Sequence, residues 1–146
     1  MKKLMHITLL ATGVLFSNLM FAQKVQQSQV PSAVTAELHA KYPQAAKVTW
    51  EKEKGNFEAN WGGKSGEDIS VMFTPAGKFV EQVQAITASQ LPAAATVYIK
   101  THYRKAKVDE AGKIIDAAGK IFFEAEIKGK ELVFDEKGNF VKTEKE

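Results

Sequence analysis

The sequence predicts an α+β protein built by tandem duplication of one helix–four-strand unit. Its two helices are expected on one face of a single antiparallel sheet of about eight strands. Three observations predict this. The segment Ser28-Gln-Val-Pro-Ser-Ala-Val34 recurs 61 residues later as Ser89-Gln-Leu-Pro-Ala-Ala-Ala95, and Val71–Val80 recurs at the same spacing as Leu132–Val141. Apolar residues after each Ser-Gln-x-Pro recur every four positions, which is a helical stripe. The remainder of each copy alternates apolar and polar residues between Gly-bearing links, the pattern of hairpin strands buried on one side. Between the matching ends, Ala46-Lys-Val48 corresponds to Ala106-Lys-Val108, and Phe57-Glu-Ala59 to Phe123-Glu-Ala125. A register that returns after an insertion marks a duplication.

Taken in order, the chain begins with Lys2 and Lys3, an apolar run from Ile7 to Phe16, and Met20-Phe21-Ala22. These are the parts of a secretory leader, and the run is too short to span a bilayer. Residues 1–22 are read as a signal peptide cleaved after Ala22. Residues 23–146 are read as one domain holding repeat units 28–86 and 89–144, and the expected location is periplasmic or secreted. In the first unit, Ser28 is placed as a helix cap with Pro31 in the first turn. Val30, Val34, Leu38 and Tyr42 form the stripe, and Pro43 stops the helix. In the second, Leu91, Ala95, Ile99 and Tyr103 repeat it, and the missing proline predicts a slightly longer helix.

Strands are expected at 47–51, 56–61, 68–74 and 78–84, then around Val108, Ile121–Ile127, Leu132–Phe134 and Phe140. Links fall at Lys54-Gly55, the Gly62–Gly66 loop, Pro75–Gly77, Lys128-Gly129 and Glu136–Gly138. The insertion at Gly112–Gly119 reads as a lengthened loop.

Composition excludes several functions. Without the leader the chain carries 18 basic and 17 acidic residues, interspersed, so no basic surface for nucleic acid is predicted. With no cysteine there is neither a disulfide frame nor a thiol nucleophile. His39 and His102 are the two histidines outside the leader, too few for a metal site that needs three or four converging ligands. Gly62-Gly-Lys-Ser-Gly66 lacks the spacing of a phosphate loop and joins two strands. Asp135–Asn139 and Glu67-Asp68 fail the calcium-loop spacing, and hairpin turns account for them. No cofactor and no catalytic residue is predicted.

A Pro-led helix ending in Tyr-Pro, the strand Ala46-x-Val48-x-Trp50, and the hairpin Phe73-x-x-x-Gly77-x-Phe79 together resemble the PepSY-like proteins. These share the tandem fold of the β-lactamase-inhibitor protein. The resemblance covers about residues 28–144 and rests on core and turn positions. It implies a periplasmic module that binds or restrains another extracytoplasmic protein without being an enzyme. The second copy departs from the pattern, with Trp50 opposite Glu110 and Pro43 opposite Arg104.

The candidate binding surface is the sheet face opposite the helices. If Phe57, Val71, Phe73 and Phe79 face the helices, then Met72, Val80, Phe122, Val133 and Val141 point away, accompanied by Glu58 and Glu124. Apolar side chains set among carboxylates are either a partner-binding patch or ordinary scattered surface hydrophobes. Trp50 and Trp61 are assigned to the helix-facing core. Tyr98 is either an exposed anchor or part of the helix–sheet contact. The competing function is a carrier for a small ligand or metal, held between sheet and helices or at the Gly62–Gly66 loop.

Overall fold

Each repeat opens with the same local device. A 3-10 turn, Gln27–Gln29 or Ala88–Gln90, precedes a ten-residue helix, α1 (Ser32–Lys41) or α2 (Ala93–His102). The Gln29 side-chain oxygen accepts from the Gln26 amide, and Gln90 accepts from the Thr87 amide, each at 2.8 Å. Ser28 therefore lies inside the 3-10 turn instead of capping the helix, and Pro31 holds the capping position. Both helices end alike: Tyr42 and Tyr103 leave helical geometry while donating their amides to Leu38 and Ile99. The second helix is thus no longer than the first. The Tyr42 and Tyr103 carbonyls then accept from the Ala45 and Ala106 amides at 2.9 and 3.0 Å, so the same exit turn ends the helix with or without a proline.

The structure, a computed structural model, describes residues 22–145. The expected leader, save Ala22, lies outside the described residues. Among the described residues, nine strands follow chain order in one open antiparallel sheet. They are β1 (Gln23–Val25), β2 (Thr49–Glu53), β3 (Asn56–Trp61), β4 (Ile69–Phe73), β5 (Phe79–Ile86), β6 (Glu110–Asp116), β7 (Ile121–Ile127), β8 (Lys130–Asp135) and β9 (Phe140–Lys145). The strand beyond the expected eight is β1, which pairs with Lys52–Trp50. The described chain divides into two units between Gln82 and Val83, with the boundary inside β5.

In the first unit Val30, Val34 and Leu38 pack on Trp50, Phe57, Ala59, Trp61, Val71 and Phe73. In the second Leu91, Ala95 and Ile99 pack on Ala111, Ala125, Ile127, Leu132 and Phe134. The stripes and the alternation thus meet as the period-four and period-two patterns require. Both tryptophans lie in the first core.

The hairpins explain how each sheet meets its helix. Gly77 and Gly138 have φ near +82° and +86°, where a side chain is strained. A Cβ on Gly77 would lie 2.7 Å from the Ala33 carbonyl oxygen, and one on Gly138 would lie 2.8 Å from the Ala95 nitrogen. The β4–β5 and β8–β9 turns therefore press against the first turns of α1 and α2. The insertion in the second copy is not a loop. It extends β6 and β7 to seven residues each and closes them with a turn from Asp116 to Lys120. Ile114 is buried there, which favours strand over loop. The pairing also corrects one correspondence: Trp50 faces Ala59 as Ala111 faces Ala125, so Ala111, not Glu110, takes the tryptophan position.

Candidate functional site

The sheet face not packed by the helices is rich in carboxylates. In the first unit one cross-strand row runs Lys24, Glu51, Glu58, Met72, and a neighbouring row runs Thr49, Asn60, Ser70. The Ser70 hydroxyl donates to the Asn60 side-chain oxygen. The Asn56 side-chain amide reaches the Met72 sulfur at 3.7 Å, a weak contact. In the second unit Glu110, Glu126, Glu131 and Glu144 stand in one row, and Gly112, Glu124, Val133 and Lys142 in the next. Like charges directly opposite across strands destabilise a sheet. Removing carboxylates from water is also costly unless they are paired or hydrogen-bonded. Glu51, Glu53, Glu58, Glu81, Glu124, Glu126 and Glu131 are all buried in the full chain, and none lacks a partner.

The two copies repeat one pair. Glu58 lies across from Met72, and Glu124 lies across from Val133. Glu124 needs a gap in the neighbouring strand, and Gly112 supplies it: a Cβ there would come within 2.4 Å of the Glu124 carboxylate. The first copy has Glu51 facing Glu58 at the corresponding place.

The sequence-derived residues distribute as follows. Met72, Val133, Glu58 and Glu124 are buried in the full chain, Val80 and Phe122 are half-buried, and Val141 is 44% exposed. Val141 has no register partner, because β8 and β9 shift between Val133 and Phe134. A bulge turns its side chain out of the alternation. Lys142 therefore takes the place across from Val133, and its ammonium pairs with Glu144.

Phe122 also lines an open notch of about 600 Å³ between the β6–β7 and β8–β9 turns, with Ile121, Lys120, Asp135 and Lys137. The Asp135 carboxylate is already committed to its own turn. It accepts from the Lys137 amide at 2.9 Å, the Asn139 amide at 2.8 Å and the Asn139 side chain at 2.9 Å. Those bonds, the Asn139 side chain first, hold its carboxyl below the usual aspartate range.

The helix side carries a difference between the copies. Tyr98 stacks on His102 with ring centres 4.0 Å apart and on Phe140 at 4.6 Å, and it meets Phe134 edge-on. Tyr98 is thus half-buried in the helix–sheet contact. In the first copy Glu37 pairs with Lys41 at 3.2 Å, and the Lys41 ammonium lies 5.0 Å above the Phe79 ring. The Tyr42 hydroxyl donates to the Gln82 side chain at 2.8 Å, and burial raises its pKa. His39 and His102 are exposed. Among the described residues, no group of three or more His, Asp or Glu is arranged to hold a metal ion.

The β-lactamase-inhibitor-like, PepSY-like family model matches residues 20–81 and again 64–142. The chain belongs to the PepSY-like family. Its two matches follow the duplication seen in the fold. Solved structures share that fold. A periplasmic protein from Bacteroides eggerthii is 20% identical, with a TM-score of 0.70 over 80% of this chain and 88% of that one. A DUF2874 family protein from Bacteroides uniformis is 20% identical, with a TM-score of 0.68 over 79% and 88%. A BLIP-like protein from Bacteroides fragilis is 21% identical, with a TM-score of 0.61 over 79% and 86%. No curated protein matches the chain. Among the described residues, no helix of this PepSY-like chain is long and apolar enough to cross a membrane.

Proposed function

We propose that the mature chain, beginning at Gln23, is a non-enzymatic periplasmic module that binds another extracytoplasmic protein. It uses the sheet face opposite its helices, with Met72, Val80, Phe122 and Val133 beside Glu58 and Glu124, and with Val141 exposed at the β8–β9 bulge. The observation that carries this reading is the repeated pair Glu58–Met72 and Glu124–Val133, carboxylate beside apolar side chain at equivalent places in both copies. A face serving only as core would favour apolar pairs there, since buried carboxylates add little stability over well-packed hydrophobes. Apolar groups ringed by polar ones are the usual anatomy of a protein interface. The description of the B. eggerthii neighbour as periplasmic and of the B. fragilis neighbour as BLIP-like supports the same reading.

Affinity capture from periplasmic extract tests it, with mature protein beside Val80→Asp and Phe122→Asp. Both positions are half-buried, so a charge there perturbs folding less than at Met72 or Val133. Expected is a protein retained by the parent and lost from both variants, with circular dichroism and melting temperature unchanged. Retention by both folded variants would contradict the assignment of the face. The notch beside Phe122 favours a second reading, a small-ligand carrier, for which a compound screen would raise the melting temperature.

A further inference from the structure

The exit of α2 concentrates positive charge. No Asp or Glu stands between Glu81 and Asp109, and Lys100, Arg104, Lys105 and Lys107 all fall in that stretch. All four are exposed. Tyr103, Ala106 and Val108 pack against the second core, so the segment is anchored while the cations between them face water. Among the described residues, no carboxylate pairs with any of the four. The first copy shows that the fold does not require them. At the same 61-residue offset they fall opposite His39, Pro43, Gln44 and Ala46, none of them lysine or arginine. That exit nevertheless closes with the same turn. Lys100 and His102 complement the carbonyl end of α2, as His39 and Lys41 do in α1. Arg104, Lys105 and Lys107 lie beyond the helix. Glu37, which pairs with Lys41 in the first copy, is replaced by Tyr98 in the second.

We propose that the α2 exit is a docking surface for an anionic phospholipid membrane, with Lys100, Arg104, Lys105 and Lys107 at the headgroup phosphates. Crowded like charges repel one another and are relieved by an anionic partner. Lysine ammoniums on flexible stems present charge density more than fixed geometry. A plane of headgroups asks for that density, whereas a shaped protein pocket asks for geometry. Val97 is 63% exposed and stands on the helix three residues before Lys100, on the same side. An apolar side chain beside cations is the composition of a helix lying at a membrane interface. The proposal is independent of the sheet-face reading. In the same unit Glu110, Glu126, Glu131 and Glu144 stand on the sheet face opposite α2. An anionic surface attracts one side of the unit and repels the other, so it leaves the carboxylate face turned outward.

Flotation of the purified mature chain with phosphatidylcholine vesicles, with and without about 30% phosphatidylglycerol, tests the proposal. Expected is binding to the phosphatidylglycerol vesicles alone, weakening as salt rises. Each charge removed is expected to cost roughly fivefold in binding, so Arg104→Gln/Lys107→Gln binds about twentyfold more weakly at unchanged melting temperature. Lys120→Gln/Lys137→Gln removes equal charge at the β6–β7 and β8–β9 turns and is expected to bind nearly as the parent does. No binding, or equal binding to both vesicles, overturns the proposal. Retention on polyglutamate in place of vesicles overturns it too, and assigns the cations to an acidic protein. Equal loss in the two double variants overturns the site, because net charge alone would then hold the chain.

Discussion

At the scale of single residues, the glycines at the hairpin tips matter most. Gly77 and Gly138 combine positive φ with close approach of a helix start, so neither tolerates a Cβ. Gly138→Ala is expected to lower stability by about 1–3 kcal/mol, read from urea denaturation. Gly55, also at positive φ but with open space around it, is the control and is expected to lose less on the same change. Gly112 is different, because it clears room for a carboxylate. Gly112→Ala is expected to displace Glu124 and shift the amide resonances of β6 and β7. Unmoved resonances would show that the gap has another use. Asp135 provides a pH test. Its carboxyl is held below the ordinary aspartate value by Asn139 and the Lys137 amide. The turn's contribution is therefore complete above that ordinary value and is lost as pH falls through the lower, folded one. Protection of the Lys137 and Asn139 amides against exchange, taken relative to the intrinsic rate at each pH, should fall over that acidic window, and Asp135→Ala should abolish that fall in protection.

At the scale of elements, the two helices show how pattern becomes packing. Leu38 is nearly fully buried between α1 and the first-unit strands, and Ile99 holds the corresponding place in α2. Leu38→Ala is expected to lose about 2–5 kcal/mol, measured by thermal or urea unfolding. A loss below 1 kcal/mol would contradict the placement of that helix face. These helices, the tryptophan core and most hairpins were legible in the sequence, because side-chain period and glycine turns are local signals. Strand β1 was not legible: Gln-Lys-Val is too short to show alternation, and only its pairing with β2 makes it a strand. The β6–β7 extension was hidden because Gly112 and Asp116-Ala-Ala-Gly119 read as loop residues. Here Gly112 is a strand residue giving way to Glu124, and Asp116 closes a turn by accepting the Ala118 and Lys120 amides. The bulge at Val141 escaped for a related reason, since counting by twos assumes an unbroken ladder.

At the scale of the whole molecule, one fold serves two copies with different surfaces. The first copy carries an ion pair and a cation over Phe79 where the second stacks Tyr98 between His102 and Phe140. On the sheet face opposite the helices, the cross-strand places of Glu58, Met72, Glu124 and Val133 were legible from alternation alone, whereas Glu51, Glu131 and the bulge at Val141 were not. The composition of that face was legible in part. Its burial was not, because strand carboxylates ordinarily face water, and the cross-strand glutamate rows depend on a register that no single segment reveals. The central claim is that this face of the mature chain meets an extracytoplasmic partner. Site-specific photo-crosslinking in living cells tests it most directly, with the crosslinker placed in turn at Val80, at Phe122 and at Val97, an exposed residue of α2. The account predicts that Val80 and Phe122 capture the same protein and Val97 does not. Capture from Val97 alone, or from none of the three positions, would contradict it.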